Sequence, residues 1–311
     1  MIRVLVLGAA AGGGFPQWNS NSEASRRARA GDPAALPATQ ASIAVSADGK
    51  RWFIVNAAPD LRQQIGREPL LHPRAGLRSS PISGVILTNG DVDAISGLLH
   101  LRERTAFTVL AHPRILAVLE ANPIFGVLSG DVVGREPLSL GERRPLRGPA
   151  GEETGLMVEA FEVPGKVALY LEDKAKGGDF GTEAGDTVGL EITQEDGSAR
   201  LVYIANCAAV DARIRGRVAG ADLLFFDGTL WRDDEMIRSG EGTKTGSRMG
   251  HVSMSGPRGA IESLRDVAVG RRIFIHVNNT NPALLADSDE RKELEACGWE
   301  VAYDGMEIHL P

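Results

Sequence analysis

The segment Leu87-Thr88-Asn89-Gly90-Asp91-Val92-Asp93-Ala94-Ile95-Ser96-Gly97-Leu98 sets polar side chains at alternate positions between an apolar run and a predicted helix. Asn89, Asp91 and Asp93 would project oxygens from one short loop, beside a helix N-terminus that adds a positive dipole. The same residues also read as an N-cap with turn acids, the commoner role of an isolated Asp-x-Asp. Farther along, Asp227 follows the apolar run Leu223 to Phe226, His251 lies in Gly250-His251-Val252-Ser253, and His276 ends Ile273-Phe274-Ile275-His276. If these groups converge on Asp91 and Asp93, two imidazoles and several carboxylates with few thiols suit Fe(II), leaving positions open for dioxygen and substrate. Manganese fits similar ligands, and zinc, which has no redox chemistry, could serve only hydrolysis. Taken alone, His276 reads equally as a strand-end histidine bonded to a backbone carbonyl, and His251 as a histidine opening a helix beside Ser253. Asp227 stands at a strand tip as a metal ligand, an orienting partner of a histidine, or a proton acceptor. Lys166, Asn89, Asn206, Asn278 and Arg248 are candidates for holding substrate carboxylates, whereas His100 lies on the apolar helix Gly97 to Leu101 and reads as packing or bonding locally, and His72, His112 and His309 carry no motif.

The elements that must position these groups alternate. Val4 to Leu7 is a buried strand running into Gly8-Ala9-Ala10-Ala11-Gly12-Gly13-Gly14, but Phe15-Pro16 follows where a dinucleotide fold needs a helix. Residues 26–40 look like a solvated loop. Ala41 to Val45 and Trp52 to Val55 form a hairpin around Asp48-Gly49. Strands over 85–87 and 107–110 alternate with helices over 95–104 and 113–120, the latter with proline in its first turn. A weakly ordered stretch over 129–155 precedes strands at 156–163, 167–172, 187–194, 200–205 and 223–226. A helix over 257–266, a strand over 272–276, a helix over 283–296 and a closing hairpin of 299–302 with 306–310 complete the chain. Two β-then-α halves in tandem predict an αββα sandwich, two sheets face to face with helices outside, spanning 1–311 as a single domain.

Composition narrows the function. At 311 residues, 43% hydrophobic and 24% charged, the chain can bury a large core. A net charge of −7 leaves no overall positive field for nucleic acid. No run approaches the roughly 18 apolar residues of a membrane span, and the N-terminus does not read as an export signal, so a cytoplasmic location is expected. Cys207 and Cys297 are far apart and form no closely spaced metal or redox motif.

The loop after Leu87 resembles the metallo-β-lactamase signature Thr-His-x-His-x-Asp-His-x-x-Gly. Thr88, Asp93 and Gly97 are kept, while Asn89, Asp91 and Ala94 stand where that superfamily has histidines. The ordinary dinuclear zinc site therefore lacks three imidazoles. Leu223 to Trp231, Gly250 to Ser253 and Ile273 to His276 agree in order and spacing with its tRNase Z-like branch, and Lys166 stands where the next histidine ligand usually falls. With these departures, the whole chain resembles the coenzyme PQQ biosynthesis protein B family. The carrying residues are Gly12 to Asn19, Asn56-Ala57-Ala58-Pro59-Asp60, Gly97 to Glu103, Val163 to Tyr170, and His276-Val277-Asn278-Asn279-Thr280-Asn281-Pro282. Many members of that family carry three cysteines after the glycine loop; here those positions are Ser20, Ser22 and Ser25, poor zinc ligands, so no structural zinc is expected.

The resemblance implies a metal ligand set of Asp91, Asp93, His251, His276 and Asp227, with Asp227, His251 and Asp93 doing catalytic work. It further implies Fe(II)- and O2-dependent hydroxylation of the tyrosine ring in a small cross-linked Glu–Tyr precursor of pyrroloquinoline quinone (PQQ), alongside other proteins of that biosynthesis. A metal-dependent hydrolase on the same fold, and a carrier of PQQ toward the periplasm, are the competing readings.

Overall fold

Alternation within each strand decides the layering. In the computed structural model, which describes residues 1–311, β1 (Ile2–Gly8) turns Ile2, Val4 and Val6 to one side and Leu5 and Leu7 to the other, all buried. The sheet is extended by β2 (Ser42–Ser46), β3 (Trp52–Val55), β4 (Ile82–Leu87), β5 (Phe107–Ala111) and β6 (Val133–Pro137). A second sheet holds β7 (Arg143–Arg147), β8 (Glu153–Glu162), β9 (Val188–Gln194), β10 (Arg200–Ile204), β11 (Leu223–Asp227), β12 (Arg271–Ile275) and β13 (Trp299–Val301). The last strand, β14 (Glu307–Leu310), returns to the first sheet beside β1. Val4, Ile43, Phe53 and Ile86 meet Val158, Leu190, Leu201, Phe225 and Ile273 in one core between the sheets. The opposite faces pack under helices, Leu7, Ile54 and Val85 with Leu61, Leu98 and Ile115, and Leu224, Phe226 and Phe274 with Ile214, Ile261 and Leu294. A strand apolar on both faces has to read as a continuous run, as Leu223 to Phe226 does. This is the expected αββα sandwich of two mixed sheets.

In the first sheet β3 to β6 run parallel, and in the second β10 to β13 do. The loops leaving β4, β11 and β12 thus emerge at carboxyl ends of parallel strands, where α/β folds place ligands.

Several expected elements differ. The helix over 95–104 is an α-turn at Val92–Ile95 followed by a 3-10 helix at Ser96–Leu101, because Gly97 lies against the Ala57–Ala58 backbone and donates to the Ala57 carbonyl. The start of the supposed solvated loop over 26–40 belongs to a helix, Glu23–Arg29, capped by the Ser22 hydroxyl. The stretch over 129–155 contains β6 and β7, one edge of each sheet; their partly exposed, charged residues hide the apolar signal. Residues 167–172 form no strand but a loop with a single 3-10 turn, Leu169–Leu171. The helix over 257–266 contracts to Ala260–Ser263, and that over 283–296 divides into Pro282–Leu284 and Asp289–Ala296. The closing hairpin is not formed: β13 pairs with β12 and β14 with β1, so Asp304-Gly305 crosses between the sheets. The Asp304 carboxylate anchors that crossing, accepting from Ala9 N (3.1 Å), Thr39 N (2.8 Å), Thr39 Oγ1 (2.7 Å) and Arg67 (3.1 Å). No helix is long and apolar enough to cross a membrane. Both cysteines are free thiols, Cys207 buried and Cys297 exposed.

Candidate metal centre

Asp227 ends β11 fully buried, and its two oxygens are saturated by four donors. Oδ1 accepts from Thr229 N (3.0 Å) and Thr229 Oγ1 (2.7 Å), and Oδ2 from Cys207 N (2.7 Å) and His251 Nδ1 (2.7 Å). A carboxylate only accepts, so the single Thr229 hydroxyl proton goes to Asp227 and the His251 proton sits on Nδ1. Thr229 Oγ1 then accepts from His276 Nδ1 at 2.9 Å. Both neutral imidazoles are thereby held as Nδ1–H tautomers with Nε2 lone pairs free. The two rings stack at 5.4 Å between centroids and 22° between planes. Ligand atoms of Asp227, His251 and His276 lie within 4.8 Å of one another.

His276 Nε2 faces Asp93 Oδ2 at 3.0 Å. With Nδ1 carrying the proton of the neutral ring, that contact sets two lone pairs against each other and calls for a cation: a proton on the ring or a metal ion at the pair. Burial pushes the His276 pKa down, but the hydrogen bond and charge of Asp93 outweigh it and raise it. Burial likewise pushes Asp93 up, and His276 draws it below the ordinary carboxylate range. Asp91 has a single longer bond, from Leu169 N at 3.3 Å, and burial together with the Asp93 charge pushes it up to about 6. Two imidazole nitrogens with poorly compensated carboxylates form a donor set that a divalent cation fits.

Local backbone explains the placement. His276 adopts φ +62°, unusual for a non-glycine residue, where β12 turns abruptly into the loop. Gly250, at φ +87°, ends a short helix, Gly246–Met249, and delivers His251 directly. At Gly12 a Cβ would stand 3.3 Å from Asp93 Oδ2, so the glycine loop after β1 leaves room for that carboxylate.

Asp91, Asp93, His251 and His276, but not the fully buried Asp227, open on a cavity of about 610 Å³ lined also by Gly12, Lys166, Tyr170, Asn206 and Asn278. Of the residues expected to bind substrate, Lys166, Asn206 and Asn278 line it. Asn89 does not: it is buried behind the wall, accepting from Asp91 N (2.9 Å) and donating to Asn206 (3.0 Å), so it shapes the loop instead of meeting a ligand. Arg248 reaches the cavity through Glu172, whose carboxylate pairs with both Arg248 (2.8 Å) and Lys166. Sequence reasoning missed Thr229 and Glu172. Thr229 had a signal, standing two residues beyond Asp227 at the same strand tip; Glu172 had none, since its partners lie 6 and 76 residues away. Ser20, Ser22 and Ser25 are engaged in hydrogen bonds: Ser20 to Glu241 (2.7 Å), Ser25 to Asn279 (3.0 Å), and Ser22 as a helix cap.

Two facing sheets with a histidine–carboxylate cluster at their strand ends define a metallo-β-lactamase-type protein. Residues 51–277 match the family model of the β-lactamase superfamily domain. A diphosphatase from the PhnP family shares the fold, with TM-score 0.70 at 18% identity over 100% of this chain and 98% of that one. At much higher identity, coenzyme PQQ synthesis protein B from Gluconacetobacter diazotrophicus is 57% identical over 99% of both chains. The crystal structure of Zn(2+)-bound PqqB from Methylobacterium extorquens aligns with TM-score 0.93 at 52% identity, covering 99% of this chain and 100% of that one. The chain belongs to the coenzyme PQQ synthesis protein B family.

Proposed function

We propose that the protein acts in PQQ biosynthesis as a metal-dependent enzyme, and that its reaction is the O2-dependent hydroxylation of the tyrosine ring in the cross-linked Glu–Tyr precursor. The observation that carries this reading is the His276–Asp93 contact beside the free Nε2 of His251, a two-histidine, one-carboxylate set in the cavity. His251, His276 and Asp93 would hold the ion, with Asp91 as a further oxygen donor. Fe(II) there would bind and activate dioxygen, a chemistry closed to zinc, with an external two-electron donor reducing the second oxygen atom to water in each hydroxylation.

The remaining work falls to the chain. Asp227 is a positioning residue in this reading, because every lone-pair direction of its carboxylate is already used on Thr229, Cys207 and His251. Asp91, neutral below and charged above about pH 6, is placed to accept the phenolic proton of the ring as it is oxygenated. Lys166 and Arg248 bring two positive charges against the one of Glu172, leaving a local excess that suits a polycarboxylate despite the acidic whole. Asn206 and Asn278 offer amide groups to the ligand from the cavity wall.

The zinc in the Methylobacterium extorquens relative favours a second reading, hydrolysis by a metal-activated water. One experiment separates them. Protein reconstituted anaerobically with Fe(II), then given precursor, oxygen and a two-electron reductant such as ascorbate, should yield a product heavier by one or two oxygen atoms and none with zinc. Turnover that proceeds equally with zinc and without oxygen overturns the oxygenase reading. Binding of PQQ to metal-free protein without any turnover would instead support a carrier.

A further inference from the structure

Glu172 is a carboxylate in an unusual position. Its side chain is only 6% exposed, and it bridges Arg248, at 2.8 and 3.2 Å, and Lys166 at the wall of the metal cavity. Both cations lie over the Phe180 ring, the Arg248 guanidinium carbon 3.8 Å and the Lys166 nitrogen 4.7 Å from its centroid. An aromatic floor beneath paired cations fixes them in a part-buried fork, an arrangement that receives a carboxylate bidentately. The carboxylate now in the fork belongs to the protein. It is delivered by residues 167–186, a connection with no strand and no α-helix, only 3-10 turns at Leu169–Leu171 and Lys174–Lys176. Few other contacts hold the near half of that connection down: Leu169 N to Asp91 at 3.3 Å and Tyr170 Oη to the Gly90 carbonyl at 2.7 Å. Val167 and Ala168 are buried at its start, but the apolar side chains nearest Glu172 do not anchor it, since Leu169, Tyr170 and Leu171 are 58%, 47% and 43% exposed. The far end is fixed by Arg114, which pairs with Glu183 and Asp186.

We infer that Lys166, Arg248 and Phe180 form a substrate-carboxylate subsite masked by Glu172, and that a polycarboxylate ligand enters by exchanging its own carboxylate for that of Glu172. This rests on the proposed carboxylate-rich substrate and names the group that gates it. Exchange leaves the charge of the fork balanced and releases residues 167–176 from their strongest tether. Glu172 is thus a specificity residue: a ligand without a carboxylate cannot displace it, and one with a carboxylate binds at the cost of opening the mask.

The probe is PQQ itself, a planar tricarboxylate, titrated into metal-loaded protein and followed by tryptophan fluorescence. Glu172→Gln removes the competing charge at constant size and should bind PQQ about tenfold more tightly than the unaltered chain. Glu172→Asp, which keeps the charge, should stay within about threefold of it. Lys166→Met and Arg248→Met should each weaken binding about tenfold or more. In parallel, trypsin should cut after Lys174 and Lys176 faster when PQQ is added, and fast without PQQ in Glu172→Gln. Equal or weaker binding by Glu172→Gln, equal tightening by Glu172→Asp, or no binding by either the parent or Glu172→Gln overturns the masking. If Lys166→Met and Arg248→Met bind PQQ as the parent does, the carboxylate role of the cations fails as well; if they weaken it while Glu172→Gln does not tighten it, only the masking fails.

Discussion

Thr229 is the residue on which the tautomers turn. Its one hydroxyl proton is spent on Asp227, which leaves its oxygen to accept from His276 and fixes the nitrogen that faces Asp93. Thr229→Val keeps the shape and removes this control, so metal affinity should fall about 10- to 100-fold by calorimetric titration, with the fold intact by circular dichroism. Asp91 sets the lower step of the pH dependence. Burial and Asp93 hold its folded pKa at about 6, above the ordinary carboxylate value, so its proton is retained between that value and about 6 and lost above it. A bound cation needs ionised Asp91 and a deprotonated His276 Nε2, whose pKa Asp93 raises, so metal affinity should climb as pH rises through about 6 and keep climbing until the His276 proton is lost; Asp91→Asn should remove only the lower part of that climb. Glu235 obeys the same sign for stability. It is buried under Trp231 N and Thr280 Oγ1, and burial pushes it up to about 7. The unfolded chain ionises near the ordinary value, so stability is lost as pH rises toward 7; Glu235→Gln should remove that loss and raise stability at pH 8 by on the order of 2 kcal/mol in urea titrations. Asp227 and His276 were legible as candidates because each stands at the end of an apolar run, where a strand must stop; Asp93 was legible from the polar loop after such a run, and His251 from its place among the ordered superfamily landmarks. Asn89 misled for the same reason: the loop position was right, but the side chain turns back to cap Asp91.

Short connections between strands and helices carry the site, and their geometry rests on a few backbone positions. Gly250 holds φ +87° immediately before His251, and a Cβ there would stand 2.9 Å from Lys166 Cβ. Gly250→Ala should therefore cost about 1–2 kcal/mol in unfolding free energy and weaken metal binding together with it, since the strain falls between a ligand and the cation fork. The central strands were readable because burial on both faces forces unbroken apolar runs, as in Leu223 to Phe226. The edge strands β6 and β7 were not. In β6 and β7 the charged, part-exposed residues give no period that separates strand from loop. The hairpin expected around Asp304-Gly305 failed because turn chemistry marks where a chain reverses and not which sheet each arm joins; that choice is made by Asp304 reaching Ala9, Thr39 and Arg67.

Across the whole molecule, the proposed ligands come from both halves of the sandwich: Asp93 follows a strand of the first sheet, while His251 lies in the connection between β11 and β12 of the second and His276 directly follows β12. An ion held by all three would clasp the two halves of the sandwich, so Fe(II) at a hundredfold excess over its dissociation constant should add about 2.7 kcal/mol and raise the melting temperature by about 5 °C. The sandwich itself was legible from two successive β-then-α halves, whereas convergence of its loops was not, because residues 93 and 276 meet only through the pairing of sheets. The most direct test of that convergence is anomalous scattering at the iron edge from crystals grown anaerobically with ferrous salt. The account predicts a single strong peak in the cavity within bonding distance of His251 Nε2, His276 Nε2 and an Asp93 oxygen. A cavity without iron, or iron bound elsewhere while these side chains stay apart from it, would contradict it.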